Sequence, residues 1–261
     1  MRLPLHQIDA FADRPFTGNP AAVMPLEAWL PEGLMQAIAA ENNLAETAFL
    51  VREPEGWRIR WFTPTTEIDL CGHATLASAH LVMTELEPGL KEVTFQSRSG
   101  QLGVSREGDR LYLDFPSRPG RPVPEWMDEV TRVLGQRPTA LLLARDLVAV
   151  LADEETVRAF TPDFTALAAL PGMGKLITAP GRATDFVSRC FFPGDGVPED
   201  PVTGSAHCTL IPTWAERLGK VRLSAFQASA RGGHLDCELR GDRVRIGGGA
   251  VKVLEGHFLL P

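Results

Sequence analysis

Residues 62–80, FTPTTEIDLCGHATLASAH, set the reading of the whole chain. A polar turn, Pro64-Thr65-Thr66, closes a strand-like segment. Gly72 then opens a run of small and apolar residues, ATLASAHLVMTEL, that reads as a helix. Half a chain later the pattern returns in residues 196–207, GVPEDPVTGSAH, where Gly204-Ser205-Ala206 opens the helix HCTLIPTWAERLG. Asp69 and Asp200 stand just ahead of the two glycines. A turn-into-helix module that occurs twice predicts a duplicated α/β domain.

Working outward, LPLHQIDAFAD reads as a strand, and RPFTGNPAAVM as a Gly-Asn-Pro turn entering a second apolar run. LPEGLMQAIAAENN predicts a helix with Leu34, Met35 and Ile38 on one face and Asn42-Asn43 as its stop. LAETAFLV and WRIRWF read as strands. KEVTFQSRSGQLGVSREGDRLYLDFPS reads as antiparallel strands joined by glycine turns. The Pro-rich stretch PSRPGRPVPEW is the linker candidate. It divides the chain into domains 1–117 and 118–261, with the last strand free to cross back. The second half holds a helix (EWMDEVTRVLG), a strand (ARDLVAVLA), a short helix (PDFTALAAL), two more strands (GKLITAP, DFVSRCFFP) and closing hairpins.

The 261 residues are 44% hydrophobic and 23% charged, values that exclude intrinsic disorder. A net charge of −7 without a Lys/Arg block disfavours nucleic acid and anionic membrane as partners. No apolar run reaches the roughly 18 residues of a spanning helix, and MRLPLHQIDAFADRP lacks a signal-peptide core, so a cytoplasmic protein is expected. Cys71, Cys190, Cys208 and Cys237 form no CxxC pair and read as free thiols.

Several side chains suit proton transfer. Alternation in LAETAFLV puts Glu46 on the face of Leu44, Ala48 and Leu50, where a carboxylate loses hydration and suits general acid–base work. His73 is a candidate acid, base or donor. Helix starts at Gly72 and Gly204 offer backbone N–H groups to a carboxylate. Cys71 lies just ahead of its helix, a place that lowers a thiol pKa. Cys208 lies within its helix, and Val202 or Thr203 fills the place where a second thiol would stand. His73 and His80 are two helical turns apart and no HExxH pattern exists, so no metal is expected. Gly172-Met173-Gly174-Lys175 lacks the rest of a phosphate loop, so ATP and dinucleotide cofactors are not expected.

FTGNPAAV, NNLAETAFL, FTPTTEIDLCGHATLASAH and GVPEDPVTGSAH, in this order, resemble the PhzF-like isomerases of phenazine biosynthesis, which have the diaminopimelate-epimerase-like fold. QASARGG resembles that family's glycine-rich C-terminal stretch more loosely. The resemblance implies an α+β fold of two similar domains. Each is a curled, largely antiparallel sheet around a central helix, with the active site in the cleft between them. It implies a cofactor-free isomerase, commonly a homodimer, acting on a small cyclic or unsaturated carboxylate. Glu46, His73, Asp200 and Ser205 match the catalytic positions. Gly72, Gly204 and Asn19, the last from its turn alone, are expected to line the substrate site. An amino-acid racemase or epimerase, or a non-catalytic protein that binds small acids, is the alternative.

Overall fold

The computed structural model describes residues 1–260. It falls into two compact units, Met1–Asp114 with Gly247–Pro261, and Phe115–Ile246.

Unit 1 begins with β1 (Arg2–Ala10) and β2 (Asn19–Leu26), which pair antiparallel. Helix α1 (Glu32–Asn42) follows; it buries Met35, Ile38 and Ala39, and Asn43 ends it in the left-handed region at φ 50°. β3 (Glu46–Glu53) returns parallel to β2, and β4 (Gly56–Phe62) pairs antiparallel with β3. The two-residue β5 (Glu67–Ile68) folds back on β4 and leads into α2 (Gly72–Leu81). The chain then adds β6 (Glu92–Ser97) parallel to β4, followed by the antiparallel strands β7 (Gly100–Glu107) and β8 (Arg110–Pro116). The last strand of the chain, β18 (Ala250–Leu259), pairs with β1.

The resulting order is β18-β1-β2-β3-β4-β6-β7-β8. Helix α2 touches β1, β2, β3, β7 and β18, strands drawn from both ends of that order, so the sheet curls around it. Its small residues, Gly72, Ala74, Ala77, Ser78 and Ala79, are all buried and let the sheet approach closely. Such a helix has no polar stripe, and every residue of it but His80 is buried. The Thr75 and Ser78 hydroxyls donate to the Cys71 and Ala74 carbonyls, so neither hydroxyl is stranded inside. Beyond Leu81 the helix widens into a π-helical turn over Val82–Leu86, where the sequence predicts plain helix.

Unit 2 repeats this plan. β9 (Arg121–Pro122) leads to α3 (Met127–Leu134) and β10 (Ala140–Leu143), and β9 and β10 pair antiparallel. β10 pairs antiparallel with β11 (Leu147–Val150), and β12 (Lys175–Pro180) runs parallel to β11 after α4 (Glu154–Ala159) and α5 (Phe164–Ala168). β13 (Phe186–Phe192) is antiparallel to β12 and to the short β14 (Val197–Asp200), which leads into α6 (His207–Leu218). β15 (Arg222–Gln227) then runs parallel to β13, and β16 (Gly233–Arg240) is antiparallel to β15, before β17 (Arg243–Gly248). The series antiparallel, parallel, antiparallel, parallel, antiparallel is the same in both units, strand for strand. The expected α+β architecture of two similar sheet-around-helix units is therefore observed.

The Pro-rich stretch is packed, not free. Pro212 within α6 removes the N–H that would bond the Cys208 carbonyl, and the Arg118 N–H takes its place at 2.8 Å. The chain passes between the units inside β8, ahead of that stretch, and returns inside β17. Among the described residues no helix is long and apolar enough to cross a membrane.

Candidate active site

The parallel pair β2–β3 places its first residues at one end of the unit 1 sheet, with Ala21 opposite Glu46 in register. The start of α2 packs against the same strands. There Glu46 Oε2 lies 3.0 Å from His73 Nε2, with side chains 15% and 6% exposed. Neither atom has a hydrogen-bond partner of good geometry, so the pair is close but misaligned. Catalytic contacts in unliganded proteins are commonly of this kind and tighten when a substrate closes them.

The other ring nitrogen is held from behind. Asn19 Nδ2 lies 3.1 Å from His73 Nδ1, and Cys71 Sγ lies 3.6 Å from it. With the Asn19 amide so turned, Nδ1 accepts and the ring proton sits on Nε2, facing Glu46. An amide flip would present Oδ1 instead and support the imidazolium. Asn19 is wholly buried beneath the ring. It reaches this place because Gly18 turns the chain at φ +69°.

Burial opposes protonation of His73, but the Cys71 sulfur and the Glu46 carboxylate outweigh it and hold the ring well above the ordinary histidine pKa. Cys71 departs from the sequence expectation. Burial and the nearby Glu46 push its thiol up, and both outweigh its place ahead of a helix. Glu46, Cys71 and His73 lie close enough to suggest a metal cluster. One ligand atom from each lies within 4.8 Å of the others, with the sulfur nearest Nδ1 and the carboxylate nearest Nε2.

In unit 2, Gly204, Ser205 and Ala206 form a tight turn whose carbonyls accept from His207, Cys208 and Thr209 N–H, and α6 proper begins at His207. The helix thus opens three residues later than the sequence suggests. Asp200 ends β14, and its Oδ2 accepts from the Thr203 hydroxyl at 2.5 Å. Gln227, at the end of β15 and fully buried, ties this loop together: its Nε2 donates to the Asp200 carbonyl and its Oε1 accepts from Thr203 N–H. His207 Nδ1 donates to the Thr203 carbonyl at 2.8 Å, and burial lowers the His207 pKa to about 4. Ser205 Oγ accepts from Arg145 Nη2 at 3.0 Å, and Arg145 forks onto the buried Asp146. Sequence reading misses Gln227, Arg145 and Asp146. Gln227 opens the quoted QASARGG segment, but nothing local marks Arg145 or Asp146.

The shared strand plan allows the two units to be compared position by position. Ala22 opposite Thr47 corresponds to Leu147 opposite Lys175, and Trp61 opposite Ile68 corresponds to Cys190 opposite Asp200. On this register Gly174 stands where unit 1 has Glu46, Thr203 where it has Cys71, and Ser205 where it has His73.

A sheet curled on a central helix, present twice, defines the diaminopimelate-epimerase-like class. A hydroxyproline epimerase from Agrobacterium vitis, at 11% identity over 98% of this chain and 92% of its own, shares the fold with a TM-score of 0.62. Residues 8–256 match the family model described as phenazine biosynthesis-like protein, and the chain belongs to that family. It is 55% identical to an uncharacterized isomerase of Pseudomonas aeruginosa over the full length of both chains. A PhzF-family protein from Enterococcus faecalis superposes with a TM-score of 0.95 at 49% identity, each chain fully covered. The relatives named isomerases support an isomerase activity for this chain.

Proposed function

We propose that this protein shifts a proton and a double bond on a small cyclic or unsaturated carboxylate, with Glu46 as the acid–base group. The observation that carries this reading is the Glu46 carboxylate held 3.0 Å from His73 Nε2 in a largely buried setting. Glu46 removes a proton from a carbon acidified by conjugation. The electron pair moves through the π-system, and Glu46 returns the proton to a second carbon, so atoms and charge balance. His73 orients the carboxylate and exchanges its Nε2 proton with it. Asn19 serves as a positioning residue behind His73. Asp200 and Ser205 hold polar groups of the substrate, and the Ser205 hydroxyl shares its carboxylate with N–H groups at Gly72, His73 and Gly204. Side chains alone supply this chemistry, without metal or cofactor.

A two-base epimerase is the second reading. The positional comparison speaks against it, because Thr203 and Gly174 occupy the counterpart positions of Cys71 and Glu46. A protein that only binds acids leaves the buried Glu46–His73 pair without a task.

The test is NMR in heavy water with 2,3-dihydro-3-hydroxyanthranilate, comparing wild type and Glu46→Gln. Wild type is expected to move the double bond and incorporate deuterium. Glu46→Gln should be slower by the roughly 10²–10⁴-fold typical of a lost general base. Near-full turnover in Glu46→Gln would overturn the assignment.

A further inference from the structure

We propose that Arg145 is a positioning and specificity residue that makes Ser205 select a carboxylate over its neutral amide. The inference rests on the reading of Ser205 as a substrate-binding group.

Arg145 and Asp146 immediately precede β11, and Gly174 immediately precedes β12, the parallel neighbour of β11. This is the unit 2 counterpart of the sheet end that carries Glu46 in unit 1. Unit 1 sets a carboxylate against His73 there, whereas unit 2 sets a guanidinium against Ser205. The two units keep one scaffold and set different groups at this sheet end, Glu46 in unit 1 and the Arg145–Asp146 pair in unit 2.

The guanidinium is fixed by a buried anchor. Asp146, with its side chain 1% exposed, takes Arg145 Nε at 3.0 Å and Nη2 at 2.7 Å. Asp146 Oδ1 also accepts from Gly174 N–H at 2.9 Å. A Cβ at Gly174 would stand 2.9 Å from that same oxygen and 2.5 Å from the Phe192 ring, so glycine suits the contact. From this anchor Nη2 also reaches Ser205 Oγ. One acceptor site of the hydroxyl is then filled by a cation, which turns the O–H outward as a donor. Nη1 has no hydrogen-bond partner among the described residues and adds two further donors. The Arg145 side chain is 28% exposed, enough for a ligand to reach it.

A hydroxyl that must donate, next to a guanidinium edge with open donors, favours an anionic oxygen over an amide. Lysine cannot reproduce this. A single ammonium can pair with Asp146 but cannot fork onto it and reach Ser205 in the same plane.

The test compares anthranilate with its neutral amide, anthranilamide, by isothermal titration calorimetry on the intact chain. Wild type should prefer anthranilate by about tenfold or more, the size expected of charge-assisted hydrogen bonds. Arg145→Lys keeps a cation for Asp146 and should fold, while losing most of that preference. Ser205→Ala should lose it as well, and Glu46→Gln should keep it. Turnover of any accepted carboxylate by Arg145→Lys should show a raised KM at nearly constant kcat. A wild type that binds neither compound or does not distinguish them overturns the proposal, as does an Arg145→Lys variant with wild-type preference. Failure of the proton-transfer reading looks different: Glu46→Gln stays active while the preference still follows Arg145.

Discussion

Gly18→Ala tests how the FTGNPAAV motif builds the site. Gly18 has φ +69°, and a Cβ there would lie 2.2 Å from the Ala10 carbonyl oxygen, 2.9 Å from Ala12 Cβ and 3.0 Å from the Phe11 carbonyl carbon. Two of these are backbone atoms of the paired strand end, which cannot swing aside as a side-chain tip can. Holding alanine in the left-handed region costs about 1–2 kcal/mol. Forcing the extra methyl into packed surroundings costs about 1–3 kcal/mol more. The expected loss is therefore about 2–5 kcal/mol, a large part of the roughly 5–15 kcal/mol that keeps a typical protein folded. Asn19 is the next residue, so the same displacement loosens the contact with His73 Nδ1 and should lower turnover in the protein that still folds. Gly33 in α1 is the control: no neighbour lies within 4 Å of its added Cβ. Gly33→Ala should be stabilising, by roughly 0.5–1 kcal/mol. Urea unfolding of both variants, followed by tryptophan fluorescence, gives the comparison. If Gly18→Ala unfolds at the same urea concentration as wild type, the left-handed turn is not what holds Asn19 in place.

Three further outcomes are expected. Burial pushes all four thiols up, Cys208 to about 11, so the native protein should react with none of them at pH 8 and with all four in denaturant, measured with a chromogenic disulfide. Cys71→Ala should lose less than the roughly 10²-fold that removal of a general base costs, and a deeper loss would make Cys71 a proton carrier. Stability should also fall as pH drops from about 6.5 to about 4. In that window the unfolded chain protonates the residue 207 imidazole and the folded protein does not. The His207 contribution amounts to about 3 kcal/mol across the window, at 1.36 kcal/mol per pH unit. His207→Asn should flatten that part of a denaturation-against-pH curve, and an unchanged slope would show that other groups carry it.

Much was legible in the sequence alone. Helix α1 and its end at Asn42-Asn43, the strand runs of the first half, the two glycine-led helices and the duplication all follow from periodicity and turn residues, because these report local backbone preference. Glu46 and His73 stand out as residue types in a motif. Missing are β10 and α4, of four and six residues, too short to show a period. For α4 a signal exists, the Asp153 side chain accepting from Thr156 N–H as a cap.

What only the tertiary structure decided is which atoms meet. β3 is buried on both faces, so alternation could not say what Glu46 faces. Its meeting with His73 depends on the parallel register of β2 and β3 and on how α2 lies against them. Asn19 reads as a turn residue near a pocket, yet it sits wholly buried behind the ring. The Pro-rich stretch reads as a linker, but Pro212, far along the chain, leaves a carbonyl that Arg118 satisfies. Arg145 lies 60 residues from Ser205 in sequence. Local pattern carries information over a few residues, whereas these contacts join segments brought together by sheet closure around a buried helix.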